Sequence, residues 1–185
     1  ETRLQVFTDI FDDSQWLISL VENLLSVTRI EEGRMNFNMS VQLMDEVIDE
    51  ALKHINRKGV EHNITIECED GLLLARMDAK LIIQVIINLV DNAIKYTPFG
   101  SDIKITSENK NGYVSVSVTD NGNGIPDHMK PRIFEMFYTG DNKIADSRRS
   151  LGLGLALCKS IIHAHGGDII LTDNKPNGCI FTFTI

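Results

Sequence analysis

Apolar side chains recur at three- and four-residue steps through the first thirty residues: Phe7, Ile10, Leu17, Val21 and Leu24, with Ser14 and Thr28 as polar entries. Phe11, Ile18 and Leu25 widen the stripe. The spacing predicts one helix from Glu1 to about Glu32, with the apolar face of a bundle helix rather than a narrow two-stranded seam. Gly33 falls where a C-cap needs a left-handed residue. A lone helix cannot bury such a stripe. Its partner is a second helix, a second copy of the chain, or the domain that follows.

Beyond about residue 36 the pattern becomes mixed α/β. Met39 to Leu43 predicts a strand and Asp45 to Ile55 a helix. His62 to Glu67 alternates as a strand, with Ile64 and Ile66 on one face, and Leu73 to Met77 predicts another. Asp78 is placed to cap a long apolar helix that runs to about Tyr96, where Pro98 and Gly100 end it. Ile103 to Ser107 and Tyr113 to Thr119 alternate around a turn at Asn109 to Gly112. A glycine-rich loop fills 120–126, and 127–150 has weak periodicity. Leu151 to His165 predicts a helix stopped by Gly166 and Gly167, and strands at 168–172 and 179–185 follow. The fold class is α/β, with one helix over 1–35 and an α/β domain over 36–185.

Composition narrows the function. At 185 residues and 43% hydrophobic, the chain can build a sizeable core, which excludes global disorder. Eighteen basic against 26 acidic residues give a net charge of -8. This argues against a protein that holds nucleic acid or anionic lipid by a bulk positive field. Cys68, Cys158 and Cys179 include no CxxC pair, which points to reduced thiols, an intracellular setting and no zinc site. The most apolar run, Leu81 to Val90, is broken by Gln84 and Asn88 and is too short to span a bilayer. The chain begins mid-pattern without Met and shows no signal peptide. It reads as part of a longer protein whose membrane attachment, if any, lies in other segments.

Three motifs carry candidate chemistry. In the first, Asn88 and Asn92 are four apart and Lys95 follows one turn later, so all three line one helix face. Carboxamides offer oxygen to a hard cation and N–H to phosphate, and the ammonium adds charge. Asp91 falls on a different face. The second motif is Asp120-Asn-Gly122-Asn-Gly124-Ile125-Pro126 after a strand. Asp120 offers an acceptor to an amino group, and the glycines let backbone approach a ligand. The third is Gly152-Leu153-Gly154-Leu155 leading into a helix, whose free amides and dipole suit an anion. No Gly-Lys-Ser/Thr follows, so it is not a Walker loop, and the third glycine and the preceding strand of a dinucleotide fingerprint are missing.

Taken together, the order of these motifs resembles the ATP-binding domain of sensor histidine kinases over residues 36–185, where they form the N, G1, F and G2 boxes. The resemblance implies a two-layer α+β sandwich of the GHKL (Bergerat) type, as in DNA gyrase, Hsp90 and MutL, with ATP between helices under a mobile lid at 127–150. It implies that Asn92 ligates Mg²⁺ and Asn88 assists at metal and phosphates. Lys95 would contact phosphate, and Tyr96 would lie beside adenine. Asp120 would accept the adenine amino group, with Gly122, Gly124 and Ile125 shaping that pocket. Phe134 and Phe137 match the F box, and Gly152, Leu153, Gly154 and Leu155 the lid-closing G2 box. The N-terminal helix resembles the second helix of the family's dimerisation and phosphotransfer hairpin, and Trp16 to Gly33 resembles its potassium-sensing branch. The implied partners are a second copy in the full-length protein and a response regulator, in a cytoplasmic domain of a membrane-bound bacterial kinase.

The chain departs from that pattern in places. His54, His62, His128, His163 and His165 all lie downstream of the hairpin helix, and none has the context of a phosphoacceptor. The acceptor histidine is therefore expected outside the chain. Arg148-Arg149-Ser150 precedes Gly152 where further Gly or Thr is common, and Cys179 replaces a common Thr or Ser. Two alternatives to a histidine kinase remain. An ATPase or serine kinase of the same fold would place a Glu base one turn before the metal-binding Asn. That position is Asn88 here, which cannot accept a proton at neutral pH. A non-catalytic nucleotide sensor is opposed by the intact Asn92, Asp120 and Gly154.

Overall fold

The computed structural model describes residues 2–55, 62–69, 71–139 and 152–185. Residues 140–150 of the expected lid, Arg148, Arg149 and Ser150 among them, lie outside the described residues.

Helix α1 spans Thr2–Glu31. Gly33 ends it at a φ of 64°, its N–H donating to the carbonyl of Ile30 at 3.0 Å while Arg34 N–H reaches Arg29 at 2.9 Å. That is the Schellman pair of bonds, which needs a left-handed residue at this point. The domain that follows covers a stripe other than the one that dominates the sequence. Trp16, Leu20, Asn23, Val27 and Ile30 turn towards it, with Val27 fully buried. Phe7, Ile10, Leu17, Val21 and Leu24 stay exposed.

Strand β1 (Ser40–Leu43) leads directly into α2 (Met44–His54). Strands β2 (Asn63–Cys68) and β3 (Leu74–Met77) follow, then α3 (Ala79–Tyr96). Strands β4 (Asp102–Lys110) and β5 (Tyr113–Asp120) form a hairpin whose turn places Asn111 and Gly112 at positive φ. After α4 (Gly154–Ala164) come β6 (Ile169–Asp173) and β7 (Cys179–Thr184). Five strands make one mixed sheet in the order β2-β4-β5-β7-β6, in which only β2 and β4 run parallel. β1 and β3 pair antiparallel as a separate small sheet.

The core lies between the large sheet and the helices. From α3 come Leu81, Ile82, Val85, Ile86, Leu89 and Val90, at helical spacing and all buried. Ile103 and Ile105 of β4, Val116 and Val118 of β5, and Phe181 and Phe183 of β7 meet them at a period of two. Leu157, Ile161 and Ile162 of α4 complete the layer.

Two expectations are corrected. Helix α4 starts at Gly154, not Leu151, because Gly152 adopts a φ of 65° that no right-handed helix contains. Asp78 does sit at the N-cap of α3, but its side chain makes no cap bond. Its Oδ2 accepts the N–H of Asn38 at 2.9 Å, and its own N–H donates to Nε2 of His165 at 3.0 Å. Nδ1 of His165 in turn donates to the carbonyl of Ile161 at 2.8 Å. This places the proton on Nδ1 and ties the end of α4 to the start of α3, a structural task for His165.

Candidate functional site

A cleft of about 890 Å³ opens between α3, the N-terminus of α4 and the end of β5. It gathers all the candidate ligand-binding residues of the three motifs except Gly122, and of the F-box pair it includes neither Phe134 nor Phe137. From α3 come Asn88, Asn92, Lys95 and Tyr96, from the β5 end Asp120, Gly124 and Ile125, and from the turn into α4 Gly152 to Leu155. Distant stretches of sequence are thus brought to one place by the packing of α3 on the sheet.

One end of the cleft is built around Asp120, which is 7% exposed. Its Oδ1 accepts two backbone N–H groups, from Gly122 at 2.9 Å and Cys179 at 3.2 Å. Burial pushes the carboxyl above its ordinary range, and these two bonds oppose the shift. Oδ2 has no hydrogen-bond partner among the described residues. Gly122 lies behind the carboxylate, where an added Cβ would come 2.7 Å from Thr97 Cγ2. Gly178, at a φ of 119°, lies against Asp120 so closely that a Cβ would sit 2.8 Å from the Asp120 carbonyl carbon. Side chains are excluded at both positions by contact, not by turn geometry alone.

The other end has the opposite character. Asn88 Nδ2 is buried with the Cys158 thiol as its neighbour and no oxygen acceptor among the described residues. Gly154 faces it, with room for a Cβ 3.6 Å from Asn88 Oδ1. Lys95 Nζ lies 5.2 Å from the ring centre of Tyr96. Asp91, expected on a different helix face, also lines the cleft. One α3 face therefore supplies two carboxamides, an ammonium and a carboxylate.

Residues 77–185 match the family described as histidine kinase-, DNA gyrase B- and HSP90-like ATPase. The chain belongs to that family. It is 42% identical over 183 residues to the sensor protein KdpD of Clostridium acetobutylicum, covering 99% of this chain and 20% of that one. The Escherichia coli KdpD matches at 32% over 166 residues. The chain spans about a fifth of the length of these curated relatives. Among solved structures, the Acinetobacter baumannii histidine kinase AdeS superposes with a TM-score of 0.79 at 27% identity, over 97% of this chain and 82% of that one. The histidine kinase-type ATPase fold expected from the motifs, a mixed sheet covered by helices, is the one observed.

Within this family member the F-box region divides. Phe134 packs edge-on against Phe181, with ring centres 6.3 Å apart, and supports the wall. Phe137 is 57% exposed and lies outside the cleft lining. Its backbone, at a φ of 63°, donates its N–H to the carbonyl of Gly152 at 3.0 Å. Phe137 therefore meets the G2 box through its main chain. Tyr138 and Thr139, which motif spacing did not single out, line the cleft instead. Arg132 stacks over Tyr138 at 4.5 Å. Trp16, Leu20 and Asn23 of α1 also reach the cleft, and Asn23 Oδ1 accepts from Gln84 Nε2 at 3.3 Å. The three-and-four spacing of Trp16, Leu20, Asn23, Val27 and Ile30 was the available signal, masked by the stronger stripe beside it.

Cys179 lines the cleft beside Asp120. Burial pushes its thiol up to about 12, so the group stays protonated and is at most a weak donor. Its bond to Asp120 comes from the backbone, which any residue supplies.

Proposed function

We propose that the chain binds Mg²⁺-ATP in this cleft and passes the γ-phosphoryl group to a histidine carried outside residues 1–185, for relay to a response-regulator aspartate. The observation that carries the reading is the pairing of a buried, half-engaged Asp120 at one end with an orphaned Asn88 amide at the other. The residues fit the ligand. Asp120 Oδ2 is free to accept from an exocyclic amino group, and Tyr96 lines the same cleft. Asn88 Nδ2 has a proton to offer a phosphate oxygen, a partner that would remove the cost of leaving a buried donor unmade.

Asn92 would hold Mg²⁺ through its amide oxygen. Among the described residues no group of three or more His, Cys, Asp or Glu could hold a metal by itself. One amide together with phosphate oxygens and water suits Mg²⁺, which keeps much of its hydration. The ion supplies charge neutralisation at the phosphates. Lys95 and the amides at the α4 N-terminus add to it, so that a chain of net charge -8 can receive a polyanion. Phosphoryl transfer then asks the protein for position and charge rather than for a base. Asn88 at the place of a hydrolytic Glu supports an imidazole acceptor over water.

The match to the KdpD relatives supports a place for the chain as the cytoplasmic part of a membrane-bound, potassium-sensing kinase. No described helix is long and apolar enough to cross a membrane. The exposed face of α1 supports assembly with a second copy. A solved relative, the histidine kinase ThkA in complex with the response regulator protein TrrA, covers 91% of this chain at 32% identity and supports the regulator as partner. The test is transfer of label from γ-labelled ATP to a separate hairpin that bears the acceptor histidine. Label on that histidine is expected. Steady ATP hydrolysis without any acceptor would favour an ATPase instead.

A further inference from the structure

His62 stands just before β2, outside the cleft lining, and no motif points to it. Its Nε2 lies 3.0 Å from Thr97 Oγ1. The Thr97 hydroxyl donates its single proton to the carbonyl of Ala93 at 2.7 Å. The hydroxyl can therefore only accept from His62, which must present Nε2–H. In the neutral ring Nδ1 then carries the lone pair, and this atom is buried without a hydrogen-bond partner among the described residues. A buried ring nitrogen left unpaired weakens a fold, so packing among the described residues alone gives no reason for a histidine here.

The consequence of the His62 bond lies further in. With one bond donated and one accepted, the Thr97 hydroxyl is fixed in direction, and a β-branched side chain then has its methyl fixed too. That methyl, Cγ2, is the atom an added Gly122 Cβ would meet at 2.7 Å, while Asp120 Oδ1 lies 3.0 Å from the same point. Gly122 is thus seated between the Thr97 methyl and the Asp120 carboxylate, and its N–H makes the 2.9 Å bond that holds Oδ1. Thr97 also lines the cleft. A contiguous path runs from His62 through Thr97 and Gly122 to Asp120.

We propose that His62 is a positioning residue for the base-recognising carboxylate: through Thr97 it seats Gly122, and so sets the direction in which Asp120 Oδ2 meets a purine 6-amino group. The inference rests on the nucleotide reading above. It makes His62 a determinant of adenine over 6-oxopurines, because a carboxylate well aimed at an amino donor is poorly matched to a carbonyl acceptor.

The experiment compares the affinity of the folded chain for the Mg²⁺ complexes of a non-hydrolysable ATP analogue and of its inosine counterpart. Wild type should prefer adenine. His62→Leu should lower that preference about three- to tenfold, the scale of one loosened hydrogen bond. It should keep or raise the melting temperature, since it removes an unpaired nitrogen. His62→Gln, whose amide can donate to Thr97, should restore much of the preference. Thr97→Val should reproduce the loss from the other side, and the two changes together should cost no more than one. A preference unchanged in both His62→Leu and Thr97→Val would overturn the proposal. So would a loss of preference that tracks a fall in melting temperature and is not rescued by Gln. If wild type shows no preference for adenine, the assignment of Asp120 falls first and the role of His62 with it.

Discussion

The two ends of the cleft are finished to different degrees. Around Asp120 nearly every polar group is engaged within the protein: Oδ1 holds two N–H groups, and the backbone carbonyl takes the Asn174 amide at 2.8 Å. Glycines 122 and 178 are there because neighbouring atoms leave no room for a side chain. Along α3 the polar groups wait: the Asn88 amide is buried and unpaired, and Asn92, Lys95 and Asp91 line open space. The contrast teaches how one site can serve a rigid base and a labile phosphate chain. On the proposed reading, the Asp120 end would recognise the shape and one hydrogen-bond pattern of a base, and so is prebuilt, whereas the α3 end would match charge that arrives with a phosphate chain, and so its satisfaction is deferred.

That contrast can be broken most sharply at Asn92. Asn92→Ala should lower phosphoryl transfer by about a hundredfold or more, the scale for loss of one group that meets transition-state charge, with the melting temperature little changed. Single-turnover transfer at saturating Mg²⁺-ATP checks this, and a loss below about threefold would remove Asn92 from the metal site.

Next in size is Asp120→Asn. The variant's amide oxygen can still accept from Gly122 and Cys179, so the prebuilt wall should survive. The nitrogen then faces a donor, and affinity for an ATP analogue should weaken by roughly ten- to a hundredfold, the range for a hydrogen bond to a charged group. Calorimetric titration would show it, and unchanged affinity would place the base elsewhere.

Asn88→Leu separates the two ends differently. Removing a buried unpaired amide should leave the free protein as stable or more stable by up to about 1 kcal/mol. Analogue affinity should nonetheless fall, by about tenfold. A variant that loses stability and keeps affinity would mean that Asn88 is a structural residue.

The smallest effect concerns pH. Burial raises the folded-state pKa of Asp120 above its unfolded value, so the native state holds the proton more tightly. The resulting stabilisation is complete below the unfolded value near 3.9 and is lost as pH rises through the raised folded value. Asn at this position has no such proton. The melting temperature of wild type minus that of Asp120→Asn should therefore be largest below about pH 4 and decline as pH rises through the raised folded value. A gap that widens with pH would show that the two N–H bonds outweigh burial.

Much of this was legible in the residues, for a physical reason. Strands β4, β5 and β7 and helices α3 and α4 have one buried face each, and burial writes a period of two or 3.6 into the chain. Asn88, Asn92, Asp120 and Gly154 stand out in the chain by residue type at fixed spacing, and the fold brings them to one cleft. What pattern could not show were contacts made across the fold. The pairing of β1 with β3, away from the main sheet, leaves no mark on either strand alone. Asp78 has the form of an N-cap, yet His165 and Asn38 take its polar groups from 87 and 40 residues away. On α1 the wide stripe through Phe7 and Leu24 hid the narrower one through Trp16 and Val27 that meets the domain. Phe137 fits its box by spacing, but a left-handed backbone turns its ring outwards and leaves only its N–H to the site.

A structure of the chain with Mg²⁺ and a non-hydrolysable ATP analogue tests the central claim most directly. The account predicts the purine amino group within hydrogen-bond distance of Asp120 Oδ2, and Mg²⁺ on the amide oxygen of Asn92. It also predicts a phosphate oxygen on Asn88 Nδ2, with the bonds of Gly122 and Cys179 to Asp120 unchanged from those seen here. A nucleotide bound in the reverse sense, or one that leaves the Asn88 amide unpaired while Asp120 rearranges, would contradict it.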